Sequence, residues 1–148
     1  MKIKFEENKI NDEIEVIIKG NKDDETVKDI YKSLTYFQTS IIGKDEGRMI
    51  SLSLNEVFYF DTVDNKTFAY LKDKVFEVNQ RLYQLEETLE STPFLRVNKN
   101  TIVNSKKIKS FKSMVNGRME AMLKNGERIK ISRTYVQSLK RKLGGDDK

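Results

Sequence analysis

Three hydrogen-bonding side chains stand together in a short reversal within residues 94–104, FLRVNKNTIVN. Apolar residues alternate on either side as in half-buried strands, and the reversal itself is Asn98, Lys99 and Asn100. A tight reversal usually contains Gly or Pro, whereas these three side chains all donate hydrogen bonds. Lysine can donate to guanine O6 and N7, asparagine can pair with adenine N6 and N7, and both can hold phosphate. The pattern therefore favours contact with nucleic acid.

The composition excludes most catalytic chemistry. Cysteine and histidine are both absent from the 148 residues, which removes disulfides, thiolate chemistry, Ser-His and Cys-His catalysis, and nearly all zinc or iron sites. The sequence contains neither GxGxxG nor GxxxxGK[ST], and acids such as Glu86 and Glu87 lie in a segment typical of a solvated helix face. We therefore expect a protein that is not an enzyme and that uses no cofactor or metal.

Positive charge is concentrated in the last third of the chain. Residues 94–143 contain 14 Lys or Arg against 2 Asp or Glu, a net charge of +12. Residues 1–43 and 44–93 are net −2 and −4. A basic surface that serves only solubility usually contains more acids than this. Clustered cations gain free energy by releasing counterions from a phosphate backbone, so the asymmetry predicts a polyanionic partner.

The first 43 residues predict a short ββα extension. The strand-like runs IKF and EIEVIIKG precede a helix over residues 23–37, which has acids in its first turn and apolar side chains at the 3.6-residue period. The stripe of Ile30, Leu34 and Phe37 favours packing on the main domain, with self-association as the alternative. No run approaches 18 apolar residues and no hydrophobic leader is present, which predicts a cytoplasmic protein.

From residue 44 the pattern changes to many short strands. The runs VFYFD and TFAYL flank the polar link TVDNK, and MISLSL leads into a capping box from Ser53 to Glu56 that predicts one helical turn. Asn79 is expected to cap a helix whose leucines share one face and which ends before Pro93.

The basic third predicts hairpins followed by a helix. Asn116-Gly117 and Asn125-Gly126 are each flanked by strand-like runs, and Asn-Gly favours type I′ turns because both central residues need positive φ. Ser132 is expected to cap the last helix. Taken alone, these signals indicate only an antiparallel sheet and a helix.

Four segments, taken in order, resemble the LytTR DNA-binding domain of bacterial transcription regulators. They are RMISLSLNEVFYFDTVDNKTFAYL, LYQLEETL, FLRVNKNTIVNSKKIKSF and LKNGERIKISRTYVQSLKRKL, within residues 44–143. The most specific signal is the F-x-R-V-[HN]-x-S-like element ending in IVN together with the terminal ISRxY. The resemblance implies an α+β fold, mostly antiparallel β, with short packed sheets over residues 44–148 behind the extension at 1–43. We find no receiver domain in the sequence.

The resemblance also implies that loops, rather than a helix-turn-helix, contact duplex DNA. By position, the residues expected at DNA are Asn65 and Lys66 in the first loop, Asn98, Lys99 and Asn100 in the second, and Arg133 with Thr134 in the third. Apart from the resemblance, the charge of Lys140 and Arg141 on the last helix makes them candidates for phosphate contacts. Many relatives have His followed by Arg in the second loop. Asn98 and Lys99 keep hydrogen bonding there but lose the planar guanidinium fork.

Two further partners follow from the resemblance. LytTR-like domains tend to occupy paired half-sites, which implies a homodimer on DNA. Relatives that lack a receiver domain are often regulated by a membrane protein encoded nearby. The first of these partners concerns assembly and the second concerns the inducing signal.

Other hypotheses stay open at this point. A β-rich protein that binds RNA or single strands would suit the same positive charge, although Phe94, Phe111 and Tyr135 are explicable as core. A protein-interaction module whose basic face meets an acidic partner is the third class. Asn98 and Asn100 also suit turns, because asparagine tolerates the left-handed region.

Two clusters have structural alternatives as well. Lys140, Arg141 and Lys142 suit either phosphate or the negative end of the helix dipole. The aromatic residues within 58–70 are expected to form core and strand face rather than a stacking platform, because they lie in the acidic part of the chain.

Overall fold

The computed structural model describes residues 1–7, 9 and 13–143. Within them the chain forms three helices and ten strands. The helices are α1 (Glu25–Gln38), α2 (Leu82–Thr88) and α3 (Arg133–Lys142). The strands are β1 (Ser40–Asp45), β2 (Arg48–Ser53), β3 (Tyr59–Val63), β4 (Lys66–Tyr70), β5 (Val75–Val78), β6 (Phe94–Asn98), β7 (Thr101–Asn104), β8 (Ile108–Ser113), β9 (Met119–Leu123) and β10 (Arg128–Ile131).

The strands form two antiparallel sheets. The larger has seven strands in the order β2-β1-β5-β4-β3-β7-β6, and the smaller has three in the order β10-β9-β8. Most neighbours in space are also neighbours in sequence, as in sheets built from hairpins. The α+β class with mostly antiparallel sheets, predicted from the sequence, is confirmed.

The larger sheet separates two halves of the hydrophobic core. Successive side chains of a strand point to opposite faces, so Tyr59 and Phe60 of β3 enter different clusters. One face packs against α1 and α2 through buried side chains that include Tyr36, Phe60, Phe76 and Leu85. The other face packs against the smaller sheet and α3 through a set that includes Val97, Val103, Ile131 and Leu139. Strands β3, β6 and β7 contribute side chains to both halves of the core and so form a rigid framework, whereas β1 and β2 have one largely exposed face.

The two Asn-Gly pairs both close hairpins, but they do so differently. Asn116 and Gly117 have φ of 62° and 75°, as a type I′ turn requires. At the second pair only Gly126 has positive φ, and its N–H donates to the Leu123 carbonyl at 2.9 Å. The prediction of a type I′ turn at Asn125-Gly126 is therefore wrong, because the chain uses a longer loop with glycine in the left-handed position.

The predicted caps are only partly right. The turn at Leu54–Glu56 forms, but the Ser53 hydroxyl contacts Asn55 Oδ1 rather than the backbone. The middle helix begins after Arg81 instead of Asn79, and its first turn is closed by the Arg81 N–H donating to Gln84 Oε1 at 2.8 Å. Ser132 precedes α3 as expected, but its side chain makes no capping bond.

The two strands predicted in the amino-terminal extension are absent from its described residues. Residues 1–7 and 13–20 pair with no strand, so the ββα prediction is correct only for the helix. That helix is capped by Asp24, whose carboxylate accepts from Thr26 N–H at 2.8 Å. A two-stranded ribbon is marginal unless something covers its apolar face, which gives a physical reason for the difference. The division at residues 43 and 44 falls within β1 and stays a prediction.

Helix α1 packs on the main core through Tyr36, which is 4% exposed, whereas Phe37 of the predicted stripe is 62% exposed. Asn104 is fully buried, and its Nδ2 donates to the Tyr36 hydroxyl at 2.7 Å and to the Val57 carbonyl at 2.9 Å. Its Oδ1 accepts from Lys106 N–H at 3.0 Å. Burial raises the pKa of Tyr36, so the hydroxyl stays neutral and hydrogen-bonded. This network fixes α1 against β7.

Candidate nucleic-acid interface

Three chain reversals predicted to contact DNA meet at one end of the larger sheet. They are the β3–β4 turn, the β6–β7 turn and the junction between β10 and α3. The Thr62 N–H donates to the Asn100 carbonyl at 3.0 Å, which joins the first two. The Ser132 N–H donates to the Val97 carbonyl at 2.9 Å, which joins the second to the third. Backbone hydrogen bonds thus set the spacing of three polar loops.

The β6–β7 turn is held by the side chain of Arg96. Its Nε donates to the Asn98 carbonyl at 3.0 Å, and a terminal nitrogen donates to the Lys99 carbonyl. The other terminal nitrogen contacts Glu86 Oε1 of α2 at 3.0 Å. Residues 98–100 all have negative φ, so the left-handed interpretation of these asparagines is wrong. The Arg96 guanidinium therefore stabilises, through two carbonyls, a turn that contains no glycine.

Asn98 braces the turn from the other side. Its Oδ1 accepts from the Asn100 N–H at 2.8 Å, and its Nδ2 donates to the Lys130 carbonyl of β10 at 2.8 Å. Both polar atoms of this amide are therefore engaged within the protein. The side chains of Lys99 and Asn100 are exposed and have no partner in the described part of the chain. Of the three residues predicted to contact DNA together, Asn98 braces the turn, whereas the side chains of Lys99 and Asn100 are free to donate outward.

The β3–β4 turn uses backbone conformation instead. Asp64 and Asn65 have φ of 51° and 64°, and Val63 pairs with Lys66 across the turn. These values fit a two-residue type I′ reversal, in which Asn and Asp are tolerated. The side chains of Asn65 and Lys66 are exposed beside the β6–β7 turn. The structure thus brings these two predicted residues to the same end of the sheet.

Arg133 and Thr134 occupy the first turn of α3, where both are exposed. The amides of a first helical turn lack partners within the helix and carry partial positive charge, so they suit a phosphate. Arg133 packs closely against the β8–β9 turn. A Cβ placed on Gly117 would lie only 3.0 Å from Arg133 Cδ. Glycine at this position allows the close approach of turn and helix.

The β8–β9 turn is a fourth component that the sequence analysis missed. Asn116 and Arg118 line an open hollow of about 520 Å³ together with Ser132, Arg133 and Thr134. The Asn-Gly pair was recognised, but only as a turn signal. The available clue was an arginine directly after that pair, within the most basic part of the chain.

Lys140 and Arg141 lie apart from these loops. They follow Arg133 by seven and eight residues, which is about 11 Å along a helix at 1.5 Å per residue. The neighbouring Lys142 donates to the Glu90 carbonyl at 3.3 Å, so this end of α3 lies beside the end of α2. Burial, with Lys32 nearby, lowers the pKa of Lys142. The structure therefore separates this helix end from the cluster of loops.

Most cations of the basic segment 94–143 are not neutralised. Within the described residues, ion pairs involve only two of them, Arg96 with Glu86 and Arg128 with Glu120 at 3.8 Å. Lys107 packs over the Phe58 ring at 5.1 Å, and burial lowers its pKa. The unpaired cations leave a positive surface that suits a polyanion.

The aromatic residues of β3 and β4 belong to the core, as predicted. Tyr59 and Tyr70 stack with ring centroids 4.4 Å apart, and both are at least partly buried. The Tyr59 hydroxyl donates to Glu127 Oε2 at 2.6 Å, while burial first, and this carboxylate second, raise the pKa of Tyr59. Rings held in this way offer no platform on which single-stranded bases could stack.

Two global features complete the description. In the described part of the chain, strands separate each helix from the next, so no pair of helices forms a helix-turn-helix. Among the same residues, no helix has both the length and the apolar character needed to span a bilayer.

Comparisons with known proteins agree with this geometry. Residues 47–144 match the family model of the LytTr DNA-binding domain. The chain is 28% identical over 135 residues to an uncharacterized HTH-type transcriptional regulator of Staphylococcus aureus (strain NCTC 8325 / PS 47), with 91% of this chain and 84% of that protein covered. It is 25% identical over 99 residues to the sensory transduction protein LytT of Enterococcus faecalis (strain ATCC 700802 / V583), with 67% of this chain covered.

A solved structure supports the same fold. It is the LytTr DNA-binding domain of a Bacillus cereus protein described as a methyl-accepting/DNA response regulator, with a TM-score of 0.67 and 24% identity. The match covers 72% of this chain and 97% of that domain. Because the family model spans most of the sequence, the chain belongs to the LytTr DNA-binding domain family. It spans about two fifths of the length of the LytT proteins that it matches.

Proposed function

We propose that this protein is a sequence-specific regulator of transcription that reads duplex DNA through the cluster of loops. The observation that carries the proposal is the link between three separate reversals by backbone hydrogen bonds, with Lys99, Asn100 and Arg133 exposed among them. Base readout needs donors held in fixed geometry, and strands that are buried on both faces provide it. The names of two relatives as transcriptional regulator and sensory transduction protein support a role in transcription.

The proposal gives the residues different tasks. Lys99 and Asn100 contact base edges in a major groove, since their backbone is fixed and their side chains are free. Asn65, Lys66, Arg133 and Thr134 contact the flanking backbone or bases from the adjoining loops, and Asn98 holds the second loop in place. Lys140 and Arg141 hold phosphate farther along the duplex, because a phosphate contact needs charge more than exact orientation.

Binding of RNA or single strands is the weaker candidate. Such proteins combine a basic groove with exposed aromatic side chains. Phe94 and the rings of β3 are buried, as expected. Phe111 is 38% exposed on the edge strand β8 of the smaller sheet, so the expectation that it belongs to the core is wrong. Competition between a duplex and its separated strands would distinguish the two, and the proposal requires the duplex to win.

The test of the proposed function is selection of bound duplexes from a random pool, followed by titration at several salt concentrations. Enrichment of one motif supports sequence-specific recognition. If about 6 phosphates are neutralised, log K should fall with log salt at a slope of roughly −5. A pool that gains no motif, or a flat salt response, contradicts the proposal. Steep salt dependence with an acidic protein and none with DNA would favour an interaction module.

Three further predictions belong with this proposal. The protein acts in the cytoplasm, binds paired half-sites as a homodimer, and responds to a membrane protein encoded nearby. A selected motif with two-fold symmetry would support the second. Co-purification of the chain with the neighbouring membrane protein would support the third, and absence of any association when the two are produced together would contradict it.

A further inference from the structure

The amino-terminal segment carries apolar side chains that nothing in the described chain covers. Phe5 and Ile14 are each 90% exposed, Ile3 is 84% exposed, and Val16 and Ile17 are also largely exposed. Isolated apolar side chains on a surface need no explanation, but five within two short extended segments do. The chain has folded around its main core and left this part without a partner.

The sequence of these segments has the alternation of strands. Ile3 and Phe5 alternate with lysines at 2 and 4, whereas Ile14 and Val16 alternate with glutamates at 13 and 15. In the antiparallel register that pairs Ile3 with Val16 and Phe5 with Ile14, Lys4 lies opposite Glu15 on the other face. Residues 2–4 carry two positive charges and residues 13–15 carry two negative charges, although Glu6 and Glu7 balance the side-chain charge of the first segment as a whole. This complementarity indicates that the two segments pair with each other.

Pairing of these two segments within one chain would not by itself give a stable sheet. A two-stranded ribbon is marginal in water, and stability needs more strands or a cover for the apolar face. Helix α1 follows directly and is anchored to the core by Tyr36, while Tyr31 and Phe37 are more than half exposed and the Phe37 ring also meets the Tyr36 ring edge-on at 5.4 Å. The extension thus offers two ribbon strands and an aromatic helix surface that are largely exposed in the described chain.

We propose that two copies of the chain associate in the absence of DNA, with residues 1–7 and 13–19 of both forming one four-stranded sheet that packs against Tyr31 and Phe37 of the two α1 helices. An identical partner supplies the missing strands by two-fold symmetry. Aromatic side chains bury about 150 to 250 Å² each, so Phe5, Tyr31 and Phe37 with the aliphatic Ile3, Ile14 and Val16 approach the roughly 800 Å² per partner of a specific interface. The pairing uses none of the residues assigned to DNA and does not depend on the proposed function.

The experiment measures the mass of the full chain in solution by sedimentation equilibrium without DNA. The wild-type chain is expected to be a dimer at micromolar concentration, with a Tm that rises with protein concentration. Ile14→Asp combined with Val16→Asp is expected to give a monomer whose Tm is independent of concentration. Its affinity for a duplex with one half-site and its circular dichroism stay unchanged, which shows that the main domain is folded.

A matched control is Met49→Asp on β2. Met49 is 72% exposed and lies outside the extension, so this variant keeps the wild-type dimer. A charge-swap series tests the pairing itself. Lys2→Glu with Lys4→Glu should weaken association by roughly tenfold, and adding Glu13→Lys with Glu15→Lys in the same chain should restore it.

Three results would overturn the proposal. The first is a wild-type chain that stays monomeric throughout the micromolar range, which would mean that the segment packs on its own α1 or on another partner. The second is a dimer that survives Ile14→Asp with Val16→Asp. The third is a dimer lost through Met49→Asp alone, which would place the interface on the edge of the larger sheet.

Discussion

The β3–β4 and β6–β7 turns are neighbours at one end of the same sheet, yet they are built in opposite ways. The first reverses by left-handed backbone at Asp64 and Asn65, and no side chain is needed to hold it. The second has negative φ throughout and is held by the side chains of Arg96 and Asn98. A turn of the first kind is determined locally, whereas the second depends on α2 and β10. The two turns should therefore respond differently to substitution.

The largest effect is expected for Arg96→Ala. This change removes the donors that hold two carbonyls and leaves Glu86 without its cation. Hydrogen bonds from charged groups contribute about 1.5–3 kcal/mol, so urea unfolding should show a loss of roughly 2 kcal/mol and DNA affinity should fall by about 10- to 100-fold.

Two variants control for this result. Arg128→Ala removes a cation of the same segment from an exposed 3.8 Å pair, and we expect its stability to change by less than about 1 kcal/mol. Arg96→Lys keeps the charge but not the fork, so it should rescue only part of the loss. Wild-type affinity in Arg96→Ala would show that the turn needs no clamp.

Asn98→Ala should have the next largest effect. It leaves the Asn100 N–H and the Lys130 carbonyl without their side-chain partner, at an expected cost of about 1–2 kcal/mol in stability. If Asn98 is only a brace, affinity falls equally for every single-base variant of the selected duplex. A loss confined to one base pair would instead make Asn98 a base-reading residue.

Asn65→Gly should be mild for the fold. Glycine accepts the positive φ of this position, so the unfolding free energy should change by less than about 1 kcal/mol. Any loss of DNA affinity then reports the contact made by the side chain alone. Asn65→Ala is the matched comparison, because it removes the same contact and also strains the turn by roughly 1 kcal/mol. Equal stability of the two variants would contradict a left-handed residue 65.

Glu86→Gln should have the smallest effect. The Glu86 carboxylate is half exposed, and its pair with Arg96 is one of three contacts of that guanidinium. Loss of the charge should reduce stability by about 1 kcal/mol or less and DNA affinity by less than tenfold. An effect as large as that of Arg96→Ala would show that α2, rather than the two carbonyls, positions the arginine.

The same contrast explains what the sequence could predict. Strand alternation and Asn-Gly turns are local signals, so the antiparallel sheets and most hairpins follow from them. The clamp by Arg96 joins residues of β6, the following turn and α2, and no local pattern indicates such a contact. The packing of Arg133 on Gly117 is equally non-local, which is why the β8–β9 turn was missed.

In the amino-terminal extension the sequence predicts structure that the described residues do not form. Its alternation predicts strands, but alternation reports only which face a strand would bury and not whether a partner is present. The helix prediction succeeded because i to i+4 bonds lie within one segment, and Asp24 supplies a local cap. The described residues of the extension have no strand partner, so the alternation alone was not sufficient for strands to form.

The most direct test of the account compares Lys99→Ala with Lys140→Ala on the selected duplex and on all its single-base variants. Lys99 stands on the clamped turn, so its loss should cost about 1–3 kcal/mol on the preferred site and flatten preference at one or two base pairs. Lys140 lies about 11 Å along α3 from Arg133, so its loss should weaken all duplexes alike and reduce the salt slope by about one. If Lys99→Ala lowers every affinity by one common factor, the β6–β7 turn holds phosphate and the central claim is wrong.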